Sequence, residues 1–205
     1  MREIGRAAAP VLPAVFAVGA SFGVLARTEH FGTAAALVMS ATTFAGSAQI
    51  ATVSLLGAGG TLSAAIVSAL LLNARYAPIG INVARVFRGG VARRFAEAQL
   101  VVDESWALSR GRRRLLLGIG ALLWIGWVGG TAIGLALGSV IGDPARYGID
   151  GAFAALFVAL LATQLRSRQA AVVAAGGAAI AAVLIPFTPP GVPILLATLA
   201  VFLGA

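Results

Sequence analysis

The chain has 205 residues, 60% of them hydrophobic and 11% charged, with a mean hydropathy of +0.97, a composition that excludes a soluble globular domain. Fifteen arginines and no lysine stand against seven acids, for a formal charge of +8; because the arginines lie mainly between apolar runs, they read as orientation signals and argue against nucleic-acid binding. The absence of cysteine excludes disulfides, thiol redox chemistry and thiolate metal sites.

A helical crossing takes about 20 apolar residues, so the length allows about six or seven crossings in a single integral membrane domain, residues 1–205, of all-α fold. Arg2 and Arg6 precede an apolar run from Pro10 to Ala26. It resembles a signal peptide on the surface, but Pro10, Pro13 and the spans that follow make it a retained first helix.

The second run, Phe31 to about Leu56, is interrupted by Thr42-Thr43-Phe44-Ala45-Gly46-Ser47-Ala48-Gln49 and closed by Gly57-Ala58-Gly59-Gly60. Hydrocarbon offers no partners to freed backbone groups, so a polar, glycine-broken stretch at that depth needs protein partners or a wet cavity. It is a candidate binding site. The third run, Thr61 to about Asn82, contains Asn73, Arg75 and Pro78.

Residues 83–114 form the one extended hydrophilic region, a loop with eight arginines and with Glu97, Asp103 and Glu104. Phe95, Leu100, Val101, Trp106 and Leu108 make an irregular apolar stripe within it, which fits either an amphipathic helix at the membrane surface or a solvated connection. The fourth run, Leu115 to Ile141, carries Gly126, Gly130, Gly134 and Gly138, with Gly142 next in the same spacing. Small residues at every fourth position open a groove where another helix backbone approaches closely. A turn over Gly142 to Asp150, a fifth run from Gly151 to Leu165, a polar turn, a sixth run from Ala170 to Ile185, a proline-rich break and a short seventh run from Val192 to Ala205 complete the chain.

The arginine-rich loop belongs on the cytoplasmic side. Seven simple crossings then put the N-terminus outside, whereas a re-entrant pair of half-helices over Phe31 to Gly57 puts it inside; the arginine distributions of the two plans differ by one residue. The length of that run favours crossing. Gly19-Ala20-Ser21-Phe22-Gly23 and Gly130-Thr131-Ala132-Ile133-Gly134 parallel each other, which suggests a 3+3 inverted repeat plus one helix, the plan of many secondary transporters.

An arginine at a helix centre costs about 2.5 to 3.5 kcal/mol on insertion scales. No acid lies inside any predicted span, so the expected offsets for Arg75 are carbonyls, Asn73, Gln49, water or an anionic substrate, unless the side chain snorkels to the interface. A guanidinium in a partly dry cavity suits a carboxylate through two parallel charge-assisted bonds. Phe44, Gly46, Ser47, Gln49, Asn73 and Arg75 are therefore the expected substrate-binding residues, with Ile50, Leu71 and Leu72 as further apolar lining. The polar stretch also has a plain reading as interhelical hydrogen bonding. Asp103 and Glu104 read as ion-pair partners for nearby arginines, or as a gate. His30 is the only histidine, which rules out a multi-histidine metal site. No nucleophile-elbow, zincin or Walker pattern occurs, so the chain is expected to be no enzyme and to need no cofactor.

Gly19-x-Ser21-Phe22-Gly23, Phe44-Ala45-Gly46-Ser47-Ala48-Gln49, Leu72-Asn73-Ala74-Arg75-Tyr76 and Asp103-Glu104-Ser105-Trp106-Ala107-Leu108 follow in an order and spacing that resembles the AzlC family, the large subunit of bacterial branched-chain amino acid exporters. The resemblance implies export of leucine, isoleucine, valine and similar amino acids by a permease in the bacterial cytoplasmic membrane. It implies a small AzlD-like membrane subunit as partner, besides the lipid bilayer. A non-transporting scaffold that holds a partner through the glycine seam, or a passive channel, are the alternatives.

Overall fold

The computed structural model describes residues 2–57, 59–141, 158, 161–162, 165, 167–188, 192–197 and 199–200. Among them there are helices and no strands: α1 (Arg2–Ala8), α2 (Leu12–Thr28), α3 (Thr33–Thr43), α4 (Gly46–Gly57), α5 (Leu62–Asn73), α6 (Tyr76–Val83), α7 (Val91–Ala98), α8 (Asp103–Ser109), α9 (Arg113–Ile141), α10 (Arg168–Leu184) and α11 (Val192–Ala197). Most of the expected fifth run, the turn before it and the end of the seventh lie outside the described residues. Among the described residues one helix, α9, is long and apolar enough to cross a membrane alone; α1 with α2 and α5 with α6 reach that length as pairs bent by 59° and 44°. Leu62, Ile66, Val67 and Leu70 of α5 and Ile125, Ile133 and Leu137 of α9 face outward. So much exposed aliphatic surface on two long apolar elements matches a hydrocarbon solvent rather than water.

The glycine seam is the frame of the molecule. Leu12 of α2 packs on Gly126, Phe16 and Ala20 on Gly130, Ala20 on Gly134, and Val24 and Arg27 on Gly138. The fit is reciprocal: a Cβ on Gly19 would meet the Trp127 carbonyl at 2.6 Å, and one on Gly23 would overlap the Thr131 carbonyl. Small residues on both helices let the backbones meet, and Phe22, Ile119 and Leu123 close the rest of the interface with no exposure. The seam is thus filled by the chain's own α2, which removes the groove a scaffold would have offered to a partner.

Positions rise together along the two helices, so α2 and α9 run parallel. The inverted repeat needs its two glycine motifs on antiparallel helices, and that expectation fails here. The reason is the path of residues 31–57. Helix α3 starts beside the end of α2, where Arg27 Nη1 donates to Thr33 Oγ1 at 3.4 Å. It descends to the middle of α9, where the Trp124 indole donates to the Ala41 carbonyl at 2.9 Å and the Phe44 ring lies 6.5 Å from that of Trp127. Helix α4 then returns, and Gly57 ends against the side chain of Glu29. The run begins and ends on one face, as a re-entrant pair of half-helices. The bent pair α5–α6 instead traverses the bundle, from the loop after Gly57 to Val83, which packs with Leu116 near the start of α9. One traverse between α2 and α9 is what a parallel pair requires; the two expected from simple crossings would make them antiparallel.

The hydrophilic region is not a free loop. Helix α7 is tied to the start of α9 by Glu97, which accepts from Arg93 and from Arg113. Helix α8 packs on α9, with Leu100 over Gly120 and with Val102, Ser105 and Ser109 buried. Its N-terminus is held by Ser105, whose hydroxyl accepts from the Val102 amide at 2.9 Å. That contact aims the first residues of α8 at the centre of the bundle.

Candidate functional site

Three chain breaks meet at one level. The first is the tip of the re-entrant pair, where Phe44 adopts φ 42° and ψ 48°. A left-handed conformation costs a non-glycine residue about 1–2 kcal/mol, so other contacts must hold it. The Ala45 amide donates to Gln49 Oε1 at 3.1 Å, and Gln49 Nε2 donates to Ser40 Oγ at 3.0 Å. Ser40 and Thr131 share a bond of 2.9 Å, and the Thr131 hydroxyl donates to the Trp127 carbonyl. Since Thr131 has one proton and gives it to Trp127, Ser40 is the donor of that pair. The relay is fully buried and runs from the tip into α9.

The second break lies between α5 and α6, where Ala74 and Arg75 interrupt the helix. Arg75 is therefore not in a helix interior, and its offset is not the one expected from the sequence. Its Nη2 lies 3.2 Å from Asp103 Oδ2 and donates to Ser47 Oγ at 3.1 Å, while the guanidinium stands 5.4 Å from the centre of the Tyr76 ring. The third break is the extended entry to α8, which delivers Asp103 and Glu104.

Between these breaks lies a cavity. Its polar end is made by Ser47, Arg75, Asp103 and Glu104, and its apolar wall by Val15, Val18, Phe44, Leu123 and Trp127. It is tight, with a volume of about 40 Å³, room for about three waters. The Trp127 indole nitrogen, at the wall, is buried and has no hydrogen-bond partner among the described residues. Burial pushes the Asp103 carboxyl above its ordinary range, against the pull of Arg75. Burial also raises Glu104; its own backbone amide opposes the shift, Asp103 adds to it, and Arg75 pulls it back.

A second, wider cavity of about 240 Å³ adjoins the first across Phe44 and Tyr76 and opens toward α7, past Val83, Phe87 and Phe95. Asn73 lines this one, with its Oδ1 buried and without a hydrogen-bond partner among the described residues. Of the residues expected from the sequence, the structure brings Phe44, Gly46, Ser47 and Arg75 together at the first cavity. Asn73 stands next door, and Gln49 lies behind the tip with both ends of its amide engaged. Ile50, Leu71 and Leu72 line neither cavity; Leu72 packs on Ala45 and Ala48 instead. Sequence reasoning missed the aliphatic and indole wall from α2 and α9, and placed Asp103 and Glu104 as arginine partners without locating them at this arginine. Three of the chain's seven acids lie in the region 83–114, and two of them adjacent was the signal available.

The AzlC protein family matches residues 10–141 of the chain, which include every residue of the first cavity. A protein of Archaeoglobus fulgidus described as an uncharacterized membrane protein is 30% identical over 196 residues, covering 89% of this chain and 84% of its own length. No solved structure matches the chain.

Proposed function

The chain belongs to the AzlC family, and on that premise we propose that it is the large subunit of an exporter that moves branched-chain and similar small amino acids across a bacterial cytoplasmic membrane. It works by alternating access, as a permease and not an enzyme, together with a small AzlD-like membrane subunit. The observation that carries this reading is the cavity in which one guanidinium faces an aliphatic and aromatic wall. Arg75 takes the substrate carboxylate by charge-assisted hydrogen bonds, the hydroxyl of Ser47 steadies the guanidinium, and Val15, Val18, Leu123 and Trp127 receive the side chain. A cavity with room for a few waters must widen to admit leucine. Its polar residues stand at chain breaks or in the first turn of a helix, where backbone N–H groups have no intrahelical partner to lose.

The face that carries Arg2, Arg6 and the eight arginines between 85 and 114 is the cytoplasmic one in this reading, with Arg27 opposite. The absence of native cysteine permits a clean check in cells. Thr33→Cys reacts with an impermeant maleimide from outside and Arg94→Cys does not; the reverse pattern overturns the orientation. The transport role is tested in proteoliposomes by counterflow of labelled leucine. Arg75→Gln lowers apparent affinity by about 30-fold or more, as loss of one partner of a buried charge pair does. Unchanged affinity and rate remove Arg75 from the site. Trans-stimulated, saturable flux separates alternating access from a passive channel.

A further inference from the structure

The Arg75–Asp103 pair raises a difficulty that the transport reading leaves unsolved. The guanidinium that is to hold a carboxylate already holds one. The pair is about three-quarters buried: the two side chains are 24% and 26% exposed and line the polar end of a narrow cavity. A substrate carrying only a carboxylate would satisfy Arg75 and strand Asp103 without a counter-charge, and one carrying only an amine would do the reverse. Breaking a buried pair without replacing both partners is strongly unfavourable.

We propose that Asp103 receives the substrate's α-ammonium group, and that the Arg75–Asp103 ion pair is the resting form of a site which a zwitterion opens by giving each partner its own counter-charge. The proposal rests on the transport reading for the role of Arg75 and extends it to the other end of the substrate. Three features of the site support it. Carboxylate and ammonium in an α-amino acid are separated by a single carbon, so Arg75 and Asp103 need only part by a few ångströms. Arg75 stands at the break between α5 and α6 and Asp103 is the first residue of α8 after an extended stretch, so they separate without unwinding a helix. Glu104 beside Asp103 places a second carboxyl at the polar end, a further acceptor for an ammonium group. The wall on the far side holds an indole N–H that is more than nine-tenths buried and has no partner among the described residues, a donor available to an occupant.

The consequence is discrimination by charge type and not only by side-chain shape. The test compares leucine, 4-methylpentanoate (leucine without its amine) and 3-methylbutylamine (leucine without its carboxylate) as ligands of the detergent-purified full chain, read as ligand-induced thermal stabilisation and then as competition in the leucine counterflow assay. The wild-type protein binds leucine roughly 100-fold or more tightly than either half-molecule, the penalty expected when a buried polar group is left unpaired. Asp103→Asn, with Asp103→Glu as the conservative rescue and a monodisperse elution profile as the folding control, loses leucine affinity while its affinity for 4-methylpentanoate stays the same or rises. Equal binding of all three ligands by the wild type overturns the proposal. So does an Asp103→Asn protein that is monodisperse and binds leucine as before, or one that loses leucine and 4-methylpentanoate in parallel. If the charge-type pattern is found in binding but no leucine flux follows, the amine site stands and the transport reading falls.

Discussion

The α2–α9 seam and the three-way junction at Arg75 use the same kinds of residue to opposite ends. In the seam, glycines remove side chains so that two unbroken helices touch along their length, and at Gly19, Gly23, Gly130 and Gly134 the contact is backbone against backbone. At the junction, glycine, alanine and short polar residues interrupt helices, and the contacts are side-chain hydrogen bonds and one ion pair. The centre of the seam has no room to rearrange, because an atom added at any of these four glycines collides with main chain. The junction has partners that can be exchanged. A transporter needs both: a frame that stays fixed, and a site whose elements part at low cost.

Breaking the frame gives the largest effect. A Cβ on Gly134 would overlap the Ala20 carbonyl, and main chain cannot rotate aside as a side chain can. Gly134→Ala is expected to destabilise the protein by about 3 kcal/mol, the upper end for overpacking, read as loss of thermal stability and of monodispersity in detergent. A second change breaks the junction without touching the frame. Gln49→Leu keeps the volume but strands the Ala45 amide and takes from Ser40 Oγ the bond it accepts, leaving only its bond to Thr131, at about 1–3 kcal/mol. Loss of stability by that amount, with leucine affinity falling as the Phe44 tip loosens, is the expected pair of results. A variant as stable as the parent would show that the relay does not hold the tip.

The two regions also differ in how far they could be read from the sequence. The seam was legible because a spacing of four is a property of one helix, and Gly126 to Gly138 needed no knowledge of the partner. The break at Thr42 to Gln49 was legible from composition alone. Its path was not, since crossing and re-entry differ by one arginine in the orientation tally, and contacts such as Glu29 over Gly57 join residues 28 positions apart. The wall of the cavity was hidden for a related reason. Val15, Val18, Leu123 and Trp127 are ordinary members of apolar helices, and only the packing of α2 on α9 tells which face turns inward. Asp103 escaped because it lies in a region that reads as solvated, while burial of Val102 and Ser105 is what carries it inward.

Acid–arginine pairs sharpen the comparison through pH. Glu97, held by Arg113 and Arg93, has its carboxyl held below the ordinary value, first by the hydrogen bond from Arg113. Its contribution is present above the unfolded value of 4.5 and is lost as pH falls through the lowered one. Glu104 behaves oppositely. Among the groups at its cavity that carry or take a charge, Arg75, Asp103 and Tyr76, Asp103 reinforces the effect of burial and Arg75 opposes it. Its folded form keeps a proton that the unfolded form releases, so stability falls as pH rises from 4.5 through the raised value. Glu104→Gln is expected to flatten that part of the pH–stability profile, and Glu97→Gln to flatten the acid limb. If both variants change the same limb, the two acids do not sit in the contrasting environments described here.

The smallest effect separates packing from propensity within the frame itself. Gly129 and Gly130 are neighbours in α9, with the same helical backbone and the same composition around them. A Cβ on Gly129 would meet nothing within 4 Å among the described residues, whereas one on Gly130 would overlap the Phe16 carbonyl. Glycine in a helix interior is less favourable than alanine by about 0.5–1 kcal/mol, so Gly129→Ala is expected to stabilise by that amount. Gly130→Ala is expected to destabilise by more than that gain, since the α2 backbone has to retreat. Opposite signs from adjacent positions cannot arise from helix propensity, which treats the two alike. They arise when the Gly130 face of α9 is pressed against α2 and the Gly129 face is not, as seen here. Equal signs in a thermal-stability measurement would mean that the register is wrong, and with it the argument that residues 31–57 re-enter rather than cross.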